Sequence, residues 1–204
     1  MKVLGIVCSP RLRGNTEIMV QEALAKAQEE GAEIELLTLA KKNIAPCDAC
    51  ESCRKTGKCH IEDDMQDIYD KLLQADGIIF GSPVYYWTVT AQAKALIDRT
   101  YLFSKEYKLK GKATGVIGVG ERLGITDVFA AFTSFFYLQR MIPVGFAAGF
   151  GDKKGEVRDK SAVNIRGMKE ARMLGSNIVS FIRSQKGQDW MGVPLPKGEG
   201  SGQS

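Results

Sequence analysis

Short apolar runs alternate with amphipathic segments along most of the chain, and this alternation constrains the fold more than any other feature. Five runs predict strands: residues 3–8, 34–39, 77–81, 114–119 and 141–148. A polar or glycine-containing loop follows the first, third and fourth runs, and helical periodicity precedes each later run. The second crossover also holds a cysteine-rich segment. Because parallel strands need long crossover connections, the pattern predicts a parallel sheet with helices on both faces.

The predicted helices carry apolar stripes that would face this sheet. In chain order the stripe residues of four of them are Val20, Ala23, Leu24 and Ala27; Met65, Ile68, Tyr69 and Leu72; Ala93, Leu96, Ile97 and Thr100; and Ala171, Leu174, Gly175 and Ile178. Asp63 and Gln66 predict a capping box before the second of these helices. Five such strands fit a flavodoxin-like three-layer α/β sandwich of order 2-1-3-4-5, with the second strand at an edge.

Size and composition fit one domain. The chain has 204 residues, 44% hydrophobic and 25% charged, which excludes a largely disordered protein. A mild net charge of +4 does not favour nucleic acid or an anionic membrane as a partner. The longest uncharged stretch, 77–93, contains polar residues and is not a membrane span, and the N-terminus lacks a signal-peptide pattern. We therefore expect a cytoplasmic protein.

The loop after the first strand reads Ser9-Pro10-Arg11-Leu12-Arg13-Gly14-Asn15-Thr16. Ser9, Asn15 and Thr16 can donate hydrogen bonds, Arg11 or Arg13 can add charge, and a helix start offers free N–H groups. The loop therefore suits a phosphomonoester, although the same polar residues could serve only to cap the helix. It is neither a G-x-G-x-x-G fingerprint nor a P-loop.

Two further loops are predicted at the same sheet edge. Residues 82–88 place Tyr85, Tyr86 and Trp87 in a row, against which a planar ring system could lie, or which could pack locally over the sheet end. The fourth strand leads into Gly118-Val119-Gly120-Glu121-Arg122, whose glycines would let the backbone approach a flat ligand. Arg122 could face such a ligand or remain a surface charge.

These loops resemble those of flavodoxin-like NAD(P)H-dependent FMN reductases. The resemblance rests on Ser-Pro-Arg-x-x-Gly-Asn-Thr and on Gly81-Ser82-Pro83-Val84-Tyr85-Tyr86-Trp87, with Lys94 to Arg99 downstream. It implies that FMN is bound, with its phosphate at one loop and its ring at the others. It implies Ser9, Arg11, Asn15 and Thr16 at the phosphate and Pro83, Tyr85 and Trp87 at the ring. With the other residues of the three loops, the predicted FMN-binding set is Ser9, Arg11, Arg13, Gly14, Asn15, Thr16, Pro83, Val84, Tyr85, Tyr86, Trp87, Gly120, Glu121 and Arg122. Many relatives have a run of glycines in the fourth-strand loop, whereas this chain has Gly118-Val119-Gly120-Glu121-Arg122 there.

Four of the five cysteines lie within thirteen residues: Cys47, Cys50, Cys53 and Cys59, spaced C-x2-C-x2-C-x5-C. In a cytoplasmic chain this indicates metal or redox chemistry and not a disulfide framework. The spacing resembles the ferredoxin type, in which thiolates hold an iron–sulfur cluster. Zinc and ordinary reduced cysteines are the alternatives, but structural zinc usually takes two separated C-x2-C pairs.

Taken together, the loops and cysteines resemble the iron–sulfur flavoproteins of anaerobic prokaryotes. That resemblance implies an oxidoreductase that passes electrons between a [4Fe–4S] cluster and FMN, a ferredoxin-like donor, a small-molecule acceptor and no protein acid–base pair. Two alternatives stay open. One is an NAD(P)H-dependent FMN or quinone reductase without a cluster, and the other is a redox-sensing flavin or metal binding protein.

The domain organisation follows from the same patterns. We expect a flavodoxin-like FMN-binding domain over residues 1–185, with a cysteine-rich insertion at 40–62, and an extended tail over 186–204. The tail has isolated apolar residues and no periodicity, so we expect residues 187–196 to pack across a subunit boundary. A homodimer or homotetramer is therefore predicted.

Overall fold

The computed structural model describes residues 1–185 and contains one five-stranded sheet. The strands are β1 (Lys2–Val7), β2 (Glu33–Thr38), β3 (Gly77–Pro83), β4 (Ala113–Gly120) and β5 (Ile142–Phe150). All neighbouring pairs are parallel and the order is β2-β1-β3-β4-β5. The predicted flavodoxin-like order, with the second strand at an edge, is therefore confirmed. The tail prediction falls on residues 186–204, outside the described residues.

The described residues form six α-helices, of which five lie between strands and the last follows β5. They are α1 (Asn15–Glu29), α2 (Ser52–Thr56), α3 (Met65–Gln74), α4 (Ala91–Arg99), α5 (Ile125–Leu138) and α6 (Ala162–Gln185). Short 3-10 turns follow at Thr100–Phe103 and Glu156–Arg158. None of the helices within residues 1–185 combines the length and apolar character that a membrane crossing needs.

Alternate strand residues point to opposite faces of the sheet and build two cores. On β1, Leu4 and Ile6 join the core under α3, α4 and α5, whereas Val3 and Val7 join the core under α1 and α6. The helical stripes predicted from 3.6-residue periodicity are the faces that enter these cores, so the three-layer arrangement follows directly from the sequence pattern.

The predicted capping box at the start of α3 is wrong. The Gln66 side chain donates to the carbonyl of Ile61 instead of returning to the N–H of residue 63. Asp63 does accept from the N–H of Met65, but its carboxylate also receives two hydrogen bonds from the Arg99 guanidinium, at 2.7 and 3.1 Å. A contact that spans 36 residues has therefore displaced the local motif.

Helices α1 and α6 pack so closely that their contact requires a glycine. A Cβ built on Gly175 would lie 2.1 Å from the carbonyl oxygen of Ala23 and 3.2 Å from the N–H of Ala27. Both atoms belong to the backbone of α1, so neither can move aside as a flexible side chain would. Close packing of the two helices against the same face of the sheet depends on this position.

We expect Gly175→Val to lower the free energy of unfolding by about 3 kcal/mol, the upper end of the usual range for an overpacked core. The matched control is Ser180→Val, which places the same side chain at an exposed position of the same helix. Urea denaturation followed by far-UV circular dichroism measures both. Equal stability of the two variants would contradict the close contact between α1 and α6.

Candidate functional site

The loops that follow β1, β3, β4 and β5 surround one cavity of about 330 Å³, called here the main cavity. Parallel strands bring their carboxyl ends to a common edge, which is why these distant segments meet. Ten residues predicted for FMN line it: Ser9, Arg11, Gly14, Asn15, Thr16, Pro83, Val84, Tyr85, Gly120 and Glu121. The volume lies within the range typical of small-molecule sites.

The first turn of α1 forms one wall of the main cavity. The N-cap residue Gly14 has no side chain to satisfy the N–H groups of that turn, and these groups have no partner inside the helix. Ser9 and Thr16 are buried beside the turn, and Arg11 lines the same wall. Unpaired N–H groups, the positive end of the helix dipole and a guanidinium make this wall suited to an anion.

The side chain of Asn15 is committed to holding a neighbouring loop. Its amide nitrogen donates to the carbonyls of Gly151 and Lys153, at 3.2 and 2.8 Å, and its oxygen accepts from the N–H of Gly155 at 2.7 Å. The Asn15 side chain therefore holds this loop and is not free to donate to a phosphate as predicted, although the residue still lines the main cavity.

The loop at residues 151–155 is a part of the site that the sequence reasoning missed. Gly151, Asp152 and Lys154 line the main cavity, and Lys154 brings a second cation to it. The available signal was the run Gly-Asp-Lys-Lys-Gly, a glycine-flanked polar turn directly after a strand. It occupies the same topological place as the three loops that were predicted.

Four of the predicted FMN-binding residues do not line the main cavity. Tyr86, Trp87 and Arg122 border a shallower depression beside it, which shares Val84 and Glu121 with the main cavity. Arg13 lines neither, and its backbone N–H donates to the Glu17 carboxylate at 2.6 Å. That bond holds the loop, with Arg13 in the left-handed region at φ +54°.

The aromatic loop contains a tight turn with both central residues in the left-handed region. Tyr86 and Trp87 have φ of +45° and +65°, and Tyr85 and Thr88 exchange both backbone hydrogen bonds across them. Such turns normally use Asn or Gly, because bulky residues there cost roughly 1–2 kcal/mol each. The Tyr86 side chain is 98% exposed and that of Trp87 is 62% exposed. Strain that presents aromatic rings to solvent at a cavity rim indicates a binding role.

The four clustered cysteines line a second, smaller pocket, called here the cysteine hollow. Cys53 lies in the short helix α2, and Gly57 ends that helix at φ +73° before Cys59. Ala49 and Glu51, which flank Cys50, have φ of +57° and +56°. These left-handed residues curl the chain, so that sulfurs spaced along the sequence face one centre.

The four clustered cysteines are not arranged as a compact single-ion site. In a tetrahedral zinc site the thiolates lie roughly 4 Å apart, given Zn–S bonds of about 2.3 Å. Within residues 1–185, only Asp48, Cys50 and His60 form a group of three potential ligands whose atoms all lie within 4.8 Å of one another. No three of the clustered cysteines do.

Electrostatic effects also show that the four thiols converge. Partial burial raises the pKa of Cys53, and the neighbouring Cys59, Cys47 and Cys50 raise it further. Gathering thiolates in one place is unfavourable without a cation, so the donor set fits a metal group. Cys8, by contrast, is fully buried at the end of β1, where burial alone raises its pKa strongly.

His60 is the one histidine of the chain. It is about half exposed, and its Nε2 lies 2.8 Å from a carboxylate oxygen of Asp48. The other carboxylate oxygen of Asp48 accepts from the N–H of Cys50 at 3.2 Å. This pair therefore supports the outer side of the cysteine hollow.

The sequence of this chain is similar to that of proteins of one family. Residues 1–154 match the family model described as NADPH-dependent FMN reductase. An iron–sulfur flavoprotein of Methanocaldococcus jannaschii is 37% identical over 193 residues, covering 90% of this chain and 98% of that protein. One of Methanosarcina thermophila is 34% identical over 189 residues, covering 91% of this chain and 99% of that protein.

Solved structures agree on the fold. RosB with bound 8-demethyl-8-formylriboflavin-5'-phosphate superposes with a TM-score of 0.74 at 18% identity, covering 91% of this chain and 80% of that chain. A WrbA-like flavodoxin of Agrobacterium tumefaciens gives 0.63 at 16% identity, covering 90% and 97%. At these identities the likeness shows the flavodoxin-like fold alone.

The fold and the main cavity define a flavodoxin-like protein with a ligand site at the carboxyl edge of its sheet. The chain belongs to the NADPH-dependent FMN reductase family and, within it, to the iron–sulfur flavoproteins. Membership confirms the prediction of an oxidoreductase of the flavoprotein class.

We expect Asn15→Ala to lower the free energy of unfolding by about 1–3 kcal/mol, because it leaves buried polar groups of the 151–155 loop without partners. Hydrogen exchange at the N–H of Gly155 should accelerate. Asn177→Ala, which removes a single bond to the carbonyl of Val144 away from the cavity, is the control. Unchanged exchange at Gly155 would show that Asn15 does not hold this loop.

Proposed function

We propose that this protein is an electron-transfer flavoprotein. It binds FMN in the main cavity and a [4Fe–4S] cluster on Cys47, Cys50, Cys53 and Cys59, and it passes electrons between the two. The observation that carries the proposal is the presence, in one domain, of an anion-binding cavity at the sheet edge and four thiols converging on one hollow. The names of the archaeal relatives support both cofactors.

Some residues of the chain bind FMN, and others hold the loops that carry those residues. The first turn of α1, with Ser9, Arg11 and Thr16, binds the phosphate of FMN, and Lys154 adds a second positive charge. Pro83, Val84 and Tyr85 on one side, and Gly120 and Glu121 on the other, border the ring. Tyr86, Trp87 and Arg122 cover its outer side, while Gly14, Arg13 and Asn15 keep the loops in place.

The redox chemistry belongs to the cofactors. Bound FMN exchanges one or two electrons and a bound cluster exchanges one, so a protein that holds both can connect one-electron with two-electron partners. We propose a ferredoxin-like donor, a small-molecule acceptor, a cytoplasmic location and a homodimer or homotetramer. The domain of residues 1–185 carries both sites, and the tail over 186–204 contributes to assembly.

A second candidate is an NAD(P)H-dependent FMN or quinone reductase whose cysteine hollow holds no cluster. The family description supports it, as does a Bacillus subtilis protein named as an NAD(P)H-dependent FMN-containing oxidoreductase, 25% identical over 175 residues. Anaerobic purification with iron, labile-sulfide and flavin assays separates the two. Flavin with iron and sulfide favours the first candidate; flavin alone with rapid NAD(P)H oxidation favours the second.

We expect Arg11→Ala and Thr16→Ala each to weaken FMN binding roughly 10- to 100-fold, because a charge-assisted hydrogen bond to phosphate contributes roughly 1.5–3 kcal/mol. Lys154→Ala should act in the same direction. Riboflavin lacks the phosphate, so its binding should hardly change. Fluorescence titration with both ligands measures this.

Lys153→Ala is the matched control, because it removes the same charge from the neighbouring residue, which does not line the main cavity. Equal losses for FMN and riboflavin would show that these residues do not bind the phosphate. An effect of Lys153→Ala as large as that of Lys154→Ala would reduce the role of Lys154 to general electrostatics.

We expect Cys50→Ala or Cys53→Ala to lose iron and sulfide while retaining about one FMN per chain, because the two sites share no lining residue. Electron flow from reduced ferredoxin should collapse, whereas direct reduction of FMN by dithionite should persist. Cys8→Ala, which changes the buried thiol outside the hollow, should keep its iron. Full ferredoxin-driven turnover in the Cys50 and Cys53 variants, or a wild type that holds only zinc, would overturn the cluster proposal.

A further inference from the structure

A single buried guanidinium joins both ends of the cysteine segment. The Arg99 side chain is fully buried at the end of α4 and forms a two-pronged pair with the Asp63 carboxylate. The same two nitrogens donate to the carbonyls of Ala45, at 2.9 Å, and Ile61, at 3.1 Å. These carbonyls lie two residues before the first clustered cysteine and two residues after the last.

Asp63 completes this fastening from the other side. Its carboxylate accepts from the N–H of Ala45 at 2.9 Å while it receives Arg99. Burial alone would raise the pKa of Asp63, but the Arg99 guanidinium and the backbone N–H groups of Ala45 and Met65 outweigh burial and hold that pKa below its ordinary value. Asp63 therefore stays charged, and the ion pair persists at neutral pH.

Stability alone does not account for a buried ion pair here. Well-packed apolar residues of similar volume often stabilise a core as well as a buried pair does, because both charges lose their hydration. The Nε of Arg99 is also buried without a hydrogen-bond partner in the described structure. Burying the Arg99 guanidinium costs free energy, and Arg99 adjoins the cysteine hollow. Its presence there therefore points to a role in the cysteine site.

Arg99 lines the cysteine hollow, whereas Asp63 does not. Its guanidinium keeps its charge at any working pH. A cluster on four thiolates becomes more negative by one charge when it accepts an electron. The charge of Arg99 acts on the adjacent Cys59, and a fixed cation beside the thiolates favours that reduced form, since net charge and nearby groups tune cluster potentials.

We propose that Arg99 is a positioning residue of the cysteine site, which fastens both ends of the cysteine segment and raises the reduction potential of the cluster as a fixed buried cation. The electrostatic half rests on the proposed function, because it requires that the four cysteines hold a cluster. The fastening half does not.

The electrostatic half is tested in the holoprotein with two variants of opposite sign. Arg99→Met combined with Asp63→Leu removes the pair and should shift the cluster couple at least tenfold towards the oxidised form, about 59 mV for one electron. Asp63→Asn leaves the cation unopposed and should shift the couple in the other direction. Redox titration followed by electron paramagnetic resonance for the cluster, and by visible absorption for FMN, measures both.

The FMN potential is the internal control and should not move. Arg166→Met combined with Glu170→Leu removes a surface pair of the same chemistry on α6 and should leave both potentials unchanged. A cluster potential that is the same in wild type, the double variant and Asp63→Asn overturns the electrostatic role.

The fastening half is tested on the FMN-loaded full chain stripped of iron. Trypsin sites at Arg54, Lys55 and Lys58 lie inside the fastened segment. The double variant should be cleaved there at least tenfold faster than wild type. Arg99→Lys keeps the charge but cannot bridge both carbonyls, so it should also be cleaved faster. In the holoprotein, the same variant should keep a cluster potential close to that of wild type. Unchanged cleavage overturns the fastening role.

Failure of the proposed cluster and failure of the fastening role of Arg99 can be distinguished. If anaerobic reconstitution places no iron and sulfide on the wild type, the cluster and the electrostatic role fall together. The cleavage experiment then still decides whether Arg99 fastens the segment, since it uses protein without iron.

Discussion

The parallel pairing of five strands in one sheet is the constraint on which the whole molecule depends. Every strand must return through a crossover before the next can pair, so the loops after β1, β3, β4 and β5 open on one edge. Burial of Leu4 and Ile6 on one face and of Val3 and Val7 on the other fixes the strand that supports the first loop. The floor of the main cavity is therefore set by core packing, and only its rim depends on polar contacts.

The conformation of the cysteine segment is not determined by core packing. Its residues are mostly exposed, and apart from Ile44 and Cys59 it contributes little to either core. Apolar burial therefore cannot define its shape. The Arg99–Asp63 pair fixes where the segment leaves and rejoins the domain, and the intervening chain is left to a short helix and to left-handed turns. Four thiols gathered in such a loop repel one another when ionised, so a bound metal group and the fastened ends would stabilise the same arrangement.

Periodicity explains why the fold could be predicted from the sequence. Two-residue alternation and 3.6-residue stripes are local properties, and the confirmed strand order follows from how crossovers pack. Contacts between distant polar groups are not local. Arg99 follows Leu96 by three residues and precedes Phe103 by four, so its place on a buried helix face was visible, but its partner Asp63 was not. Asp63 carried a local capping signal that a distant guanidinium overrode. Asn15 likewise looked like a phosphate donor, because nothing local shows that the 151–155 loop would take up its amide.

Backbone strain is concentrated where the two sites are. Among described residues other than glycine, positive φ occurs at Arg13 in the first loop, at Ala49 and Glu51 around Cys50, and at Tyr86 and Trp87 in the aromatic turn, with three others elsewhere. Each costs roughly 1–2 kcal/mol, which only well-determined surroundings can offset. Those surroundings are visible: the Glu17 carboxylate holds the N–H of Arg13, and Gly124 lets the backbone of Trp87 approach where a Cβ would lie 2.9 Å from its Cα. The loops are thus held in their unusual conformations by the domain itself. Cofactor binding would then require little further ordering of the chain, and more of the binding free energy would remain as affinity.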